Sequence, residues 1–178
     1  SYDSGDWFNQ IEWDCTKGNG FGRGLPPAQD NADKWPYAKP LLADKALVPD
    51  CTAINLSDAR YAELQRIRQS SAVFGLPTAA EVQKRLSFPL SGTTETPGVL
   101  TMRLDGRGLD QRWSSVTVVF NATPAAVEQT VPALRGKAVT LHPVQRDSAD
   151  PVVRTASFDA ATGTLTVPGR TVSVFVQK

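Results

Sequence analysis

The residues best suited to chemistry stand in the first segment of the sequence, SYDSGDWFN. Carboxylate, amide and aromatic side chains occur together there: Tyr2, Asp3, Asp6, Trp7, Phe8 and Asn9. Carboxylates and amides hydrogen-bond sugar hydroxyls, and aromatic rings stack on the C–H faces of sugars. A pair of carboxylates also suits the acid and nucleophile of a glycosidase. The segment therefore predicts a glycan subsite, whereas Asp3 and Asp6 alone are weak evidence for a catalytic pair.

Acidic residues near this segment also raise the question of a calcium site. Asp3, Asp6, Asn9 and Asp14 offer oxygen ligands. An EF-hand loop counted from Asp3 would need glycine at its sixth place and glutamate at its twelfth, and the chain has Phe8 and Asp14 there. An irregular cage of oxygens remains an alternative to acids that are merely solvated or capping.

Other motifs argue against further chemistry. The run Gly18 to Gly24 reads G-x-G-x-G-x-G, which matches neither nucleotide-binding spacing and predicts a loop that needs positive φ. His142 lies in a strand pattern with no organised nucleophile or acid, so a structural role is favoured. Cys15 and Cys51 could form one disulfide or remain two buried thiols, and two cysteines with one histidine give no zinc pattern.

The composition limits the partners. With 178 residues, the chain fits one medium domain or one domain with an appendage. A net charge of +1 predicts no nucleic-acid partner. No apolar run approaches the roughly 20 residues that span a bilayer, so we expect no membrane span.

Two helices are predicted after a long ordered loop that covers residues 1 to about 55. The first runs from Ala59 to Gln69 with Ser57 or Asp58 as its N-cap. Its apolar face is formed by three residues: Tyr61, Leu64 and Ile67. Its predicted solvent side holds three charged residues: Arg60, Glu63 and Arg66. A capping box, Thr78 with Glu81, opens the second helix, Ala79 to about Arg85.

Short β-branched segments then predict an antiparallel β-sandwich. The predicted strands are Gly98 to Leu104, Trp113 to Asn121, Lys137 to Val144, Thr164 to Val167 and Thr171 to Val176. The seam between the two halves is expected near residues 75 to 88.

Six segments together resemble the C-terminal part of pullulanase-type α-1,6-glucosidases of the α-amylase superfamily. They are SYDSGDWFN, GFGRGLPPAQDN, KWPYAKPLLAD, LQRIRQSSAVFGLPTAAEVQKRLSF, VVFNAT and LTVPGRTVSVFV. The resemblance is weaker over Gly106 to Arg112 and Gln145 to Asp150, which look like variable loops.

The resemblance implies a mainly β fold, with a C-terminal antiparallel β-sandwich preceded by a long ordered loop and the last helix of a (β/α)8 barrel. Residues 1–75 would be the end of the catalytic barrel, and residues 76–178 the C-terminal all-β domain. The Tyr61, Leu64 and Ile67 face would pack against that barrel. Because the family's catalytic motifs are absent here, we expect neither catalytic nor metal-binding residues on this chain.

The same resemblance implies a role in starch debranching. The loop after the eighth barrel strand would line the cleft, and its expected substrate-binding residues are Tyr2, Asp3, Asp6, Trp7 and Asn9. The expected partners are α-glucans (pullulan, limit dextrin, maltooligosaccharide) and the remainder of the barrel. No cofactor is expected on this chain, while the parent enzyme is a candidate for Ca²⁺ binding.

Two alternative functions stay open. A free-standing carbohydrate-binding module would use Trp113 or the loop aromatics as a stacking platform. A purely structural β-domain would stabilise the enzyme without touching substrate. A secreted or periplasmic location is expected by resemblance to bacterial enzymes, which a Cys15–Cys51 disulfide would support, and a cytoplasmic location is the alternative.

Overall fold

The computed structural model describes Trp13, residues 25–93 and residues 95–178. The chain divides into two compact units, one ending at Ala59 and the other beginning at Arg60. The predicted boundary near residue 75 concerns the barrel of a parent enzyme and stays a prediction.

The described part of the first unit is largely helical. It contains α1 (Ala28–Asn31), α2 (Trp35–Ala43) and the first turns of α3 (Cys51–Gln69). Pro36 lies in the first turn of α2 and Pro40 lies inside it. Proline usually marks a loop or a helix end, so these two residues led to the prediction of a loop where the structure has a helix.

Helix α3 begins earlier than predicted. Asp50 caps it, because the Asp50 carboxylate accepts a hydrogen bond from the backbone N–H of Ala53 at 2.8 Å. The predicted N-cap at Ser57 or Asp58 is therefore wrong: both residues lie inside the helix. The start of α3 was predicted too late because its first two turns contain polar residues.

Helix α4 (Ala79–Arg85) has the predicted bounds. The Thr78 hydroxyl accepts a hydrogen bond from the backbone N–H of Glu81 at 3.2 Å, as the capping box predicts. The Glu81 carboxylate instead accepts from Arg85 Nε at 2.5 Å. Arg85 is buried and also donates to two backbone carbonyls at the end of the second strand and just after it, which fastens α4 to the sheet.

Within the described residues, eight strands form two antiparallel sheets, which confirms the predicted antiparallel β architecture. They are β1 (Leu86–Ser87), β2 (Val99–Asp105), β3 (Ser115–Asn121), β4 (Val127–Thr130), β5 (Val139–Leu141), β6 (Ser157–Asp159), β7 (Thr164–Val167) and β8 (Thr171–Gln177). The five-stranded sheet has the order β1-β2-β3-β8-β5, and the three-stranded sheet has the order β4-β7-β6.

Strand β5 ends at Leu141, not at the predicted Val144. The reason is local: the His142 ring accepts a hydrogen bond from the Val144 N–H and so caps a short helix, α5 (Pro143–Arg146). Strands β1, β4 and β6 were not predicted.

Strands β3 and β8 of the five-stranded sheet are buried on both faces over most of their length. On one face, Val119 and Phe175 pack against Leu165 and Val167 of the three-stranded sheet. On the other face, a second cluster contains residues from the end of α3, the segment after it, β2, the residues just before β3, β3 itself and β8: Ile67, Val73, Leu104, Trp113, Val116, Val118, Val174 and Val176. Burial on both faces explains the nearly continuous apolar sequence of β3 and β8.

The turn between β7 and β8 gives a test of this packing. An alanine Cβ at Gly169 would lie 2.3 Å from the Pro124 carbonyl oxygen, so we expect Gly169→Ala to lower the free energy of unfolding by about 1–3 kcal/mol. Gly75→Ala is the matched control, since nothing lies within 4 Å of its added Cβ. Urea unfolding of the chain measures both, and equal stabilities would contradict the packing described here.

Candidate functional site

The predicted substrate-binding residues lie outside the described residues. This holds for Tyr2, Asp3, Asp6, Trp7 and Asn9, and also for Cys15, Asp14 and the glycine run from 18 to 24. Their roles as cleft lining, disulfide or calcium ligand stay predictions. Trp13, in the same segment, is described and exposed.

Among the described residues, a polar cluster joins α3 to the segment 145–150. Glu63 is only 6% exposed, which corrects the prediction that it faces solvent. Its carboxylate accepts hydrogen bonds from the Ser148 hydroxyl at 2.6 Å and from the backbone N–H of Ala149 at 2.9 Å. A buried carboxylate is tolerated when such donors satisfy it.

Two further residues, Asp150 and Gln145, hold the segment 145–150 in place. The buried carboxylate of Asp150 forms an ion pair with Arg60 and accepts a hydrogen bond from the Val152 N–H at 2.9 Å. Gln145 uses both ends of its amide on β8, donating to the Val172 carbonyl and accepting from the Val174 N–H, each at 2.7 Å. These contacts were missed because the segment 145–150 was interpreted as a variable loop.

We expect Glu63→Ala to lower the free energy of unfolding by about 2–4 kcal/mol, because it leaves the Ser148 and Ala149 donors without their acceptor. Asp58→Ala, on an exposed position of the same helix, is the control and should change stability by less than about 0.5 kcal/mol. Urea unfolding compares the two. A Glu63→Ala variant as stable as the control would show that the cluster does not hold α3.

His142 lies at the other end of α3 and is buried. Its Nδ1 accepts from the Val144 N–H, so Nε2 carries the proton and donates to the Ser70 hydroxyl at 3.0 Å. Ser70 in turn donates to the Ile67 carbonyl at 2.7 Å. The serine proton thus points away from the imidazole and no acid orients the ring, so this pair lacks the arrangement of a nucleophile and its base. These contacts support the predicted structural role of His142.

Trp113 is also part of the core. It is 7% exposed and packs within the cluster around Ile67 and Val116, with its ring 6.1 Å from that of His142. Stacking on a sugar needs an open ring face. The alternative that Trp113 forms a carbohydrate platform is therefore wrong, while the loop aromatics remain candidates.

Five carboxyl groups in the described ranges have a pKa below its ordinary value: Asp33, Glu81, Asp105, Asp110 and Asp159. The Arg107 guanidinium, hydrogen-bonded to Asp105, lowers the pKa of that carboxyl to about 2. A general acid for glycoside hydrolysis needs a raised pKa instead. No group of three or more His, Cys, Asp or Glu side chains that could hold a metal occurs within the described ranges.

Burial of His142, with a smaller effect from Arg112, lowers its pKa from 6.5 to about 4. Below pH 6.5 the unfolded chain binds a proton that the folded chain resists, so stability should fall as the pH drops from 6.5 toward 4. We expect a loss of about 2 kcal/mol between pH 7 and pH 5. In His142→Gln this slope should disappear. Urea unfolding at several pH values measures it, and parallel slopes would contradict the assignment.

Comparison with known proteins identifies the family. The family model for the C-terminal region of pullulanase-type α-1,6-glucosidases matches residues 16–178. Pullulanase 1, chloroplastic, of Arabidopsis thaliana is 40% identical over 185 residues, which cover 99% of this chain and 19% of that protein. Pullulanase of Klebsiella pneumoniae is 29% identical over 98% of this chain and 16% of its own length.

Solved structures agree with the fold. The apo pullulanase of Klebsiella pneumoniae superposes with a TM-score of 0.83 and 28% identity over 100% of this chain and 19% of that one. A crystal structure of the same organism's pullulanase complexed with maltotriose also gives 0.83, at 28% identity over 100% of this chain and 17% of that one. The chain thus spans less than a fifth of the length of each of these relatives.

No helix in the described ranges has the length and apolar character needed to cross a membrane. With its two antiparallel sheets and a match over nearly its whole length, the chain belongs to the C-terminal domain family of pullulanase-type α-1,6-glucosidases.

Proposed function

We propose that this chain is the C-terminal portion of a starch- or glycogen-debranching hydrolase that cleaves α-1,6-glucosidic bonds in pullulan or limit dextrins. The observation that carries the proposal is the match to a pullulanase at 40% identity over 99% of the chain. Hydrolysis of pullulan by the full-length parent enzyme tests it directly, and a parent without this activity would refute it.

The catalytic carboxylates of this enzyme belong to the part of the parent outside this chain. A retaining glycosidase needs a nucleophile and an acid about 5–5.5 Å apart on either side of the scissile bond. The buried carboxylates of Glu63 and Asp150 instead accept structural hydrogen bonds. The family's acid and nucleophile motifs are also missing from the sequence.

Within the parent, the segment that contains Tyr2, Asp3, Asp6, Trp7 and Asn9 lines the substrate cleft. Its carboxylates and amide bind glucose hydroxyls, and its rings stack on sugar faces. Maltotriose in the Klebsiella pneumoniae enzyme shows that a relative binds an α-glucan of this type. The β-sandwich supplies stability, and the remaining barrel is its partner.

The cellular location of the parent enzyme is part of the same proposal. We infer a secreted or periplasmic parent, in which Cys15 and Cys51 are paired. The relatives include a plant enzyme named chloroplastic and bacterial enzymes, so the family is not confined to one setting. A mass measurement under nonreducing conditions decides the disulfide, and two free thiols would remove this support for export.

Trp7 offers the sharpest test of the cleft role. We expect Trp7→Ala in the parent to lower kcat/KM for pullulan about 10-fold, the equivalent of about 1.4 kcal/mol of lost binding, without changing Tm. Phe88→Ala, an exposed aromatic outside the predicted loop, is the control and should keep kcat/KM near that of the parent. Equal activity of both variants, or a fall in Tm that accounts for the loss, would contradict the role.

A further inference from the structure

Strand β3 ends in an acceptor sequence for N-linked glycosylation. Asn121, Ala122 and Thr123 match the pattern Asn-x-Ser/Thr with a residue other than proline in the middle. A sugar attached to such an asparagine is bulky and hydrophilic, and it belongs on the surface of a folded protein. The sequence contains one other match, which begins at Asn55 in α3.

In the fold, the Asn121 side chain is buried. Only 2% of the residue is exposed. Its amide nitrogen donates to three backbone carbonyls: Ala125 at 2.8 Å, Pro168 at 2.9 Å and Val167 at 3.2 Å. Its side-chain oxygen accepts from the backbone N–H of Thr123 at 3.0 Å and from the Thr123 hydroxyl at 2.7 Å. The amide thus joins the end of β3 to the turn between β7 and β8.

A sugar on this nitrogen is incompatible with those contacts. Transfer from a lipid-linked oligosaccharide diphosphate forms a bond between Nδ2 of Asn121 and C1 of the sugar. The bond from C1 to the diphosphate oxygen breaks, the lipid diphosphate leaves, and the nitrogen gives up one of its two protons. A single N–H then remains for three carbonyls, two of which accept in buried hydrogen bonds. A buried acceptor that loses its donor destabilises the fold.

The turn beside Asn121 is also closely packed. A single carbon added to Gly169 would lie 2.3 Å from the Pro124 carbonyl oxygen. Asn121 itself is the direct partner of Thr171 in the pairing of β3 with β8, and Thr171 is buried as well. A sugar ring at Asn121 would therefore have to displace the turn from the end of β3.

The unfolded chain does not protect Asn121 in this way. Val167 and Pro168 follow Asn121 by 46 and 47 residues, so they have not been made when Asn121 leaves the ribosome. Until the turn between β7 and β8 is in place, the amide lacks two of its three acceptors. The acceptor sequence is then open to a transferring enzyme.

We propose that Asn121 is a glycosylation site of the unfolded chain alone, and that a glycan there prevents the turn between β7 and β8 from packing on β3. The parent enzyme therefore folds in a compartment where no transferring enzyme meets the new chain. The secreted or periplasmic location proposed above is thereby limited to export without asparagine glycosylation. The inference concerns folding and does not depend on the reaction that the parent catalyses.

Expression of the full-length parent in two compartments tests the inference. One is the bacterial cytoplasm, and the other is a eukaryotic endoplasmic reticulum, reached through an added signal sequence. All samples carry Ser57→Ala, an exposed position, which removes the second acceptor sequence. This background protein is compared with the same protein carrying Thr123→Ala, which removes the acceptor pattern but keeps Asn121. Acceptor sequences elsewhere in the parent are the same in both.

We expect both proteins to fold in the bacterial cytoplasm, with Thr123→Ala somewhat less stable because its hydroxyl bonds are lost. Protein made in the reticulum, with degradation inhibited, is separated into protease-resistant and protease-sensitive fractions. Mass spectrometry should find glycan on Asn121 at least 10-fold more often in the protease-sensitive fraction of the background protein. The folded yield of Thr123→Ala from the reticulum should be the higher of the two.

Three outcomes would overturn the inference. Glycan on Asn121 at equal occupancy in the two fractions would show that the fold accommodates a sugar there. No glycan on Asn121 in either fraction would show that the unfolded chain is not an acceptor. Equal folded yields, with most background chains glycosylated at Asn121, would show that the glycan does not block folding. The occupancy comparison uses the background protein alone, so it stands whether or not Thr123→Ala folds.

Discussion

The pairing of β3 with β8 is the interaction on which the rest of the domain depends. Their seven residues pair along the whole length of both strands, and alternate side chains point to opposite faces. Val119 and Phe175 thus enter one core, while Val116 and Val174 enter the other. A substitution that shifts this register by one residue would exchange the two sets of side chains and damage both cores at once.

Two kinds of contact hold the C-terminal part of α3. Ile67 belongs to the apolar cluster, whereas Glu63, one turn earlier, is held by hydrogen bonds from Ser148 and Ala149. The part of α3 from Arg60 onward is therefore held against the sheet by hydrogen bonds as well as by apolar contact.

Local patterns were sufficient to predict most of the fold. Helix α4 and strand β7 have the predicted bounds because each is set by its own turn and capping residues. Strands β1, β4 and β6 were missed because each has only two to four residues and one large apolar side chain, which is too little to show alternation in the sequence. The burial of Glu63 could not be predicted from α3, since its partners lie some 85 residues further along the chain. The predicted cleft residues came from resemblance and lie outside the described residues.

The sheet order has a consequence for biosynthesis. Strand β8 lies between β3 and β5, so β5 has no place in the sheet until β8 has been made. On the ribosome, β2 and β3 can form their hairpin early, but β3 then presents an open edge while about fifty further residues, through β7, are added. At roughly 5–20 residues per second this interval lasts several seconds. The five-stranded sheet is completed only after β8, which follows the other described strands along the chain, has been made.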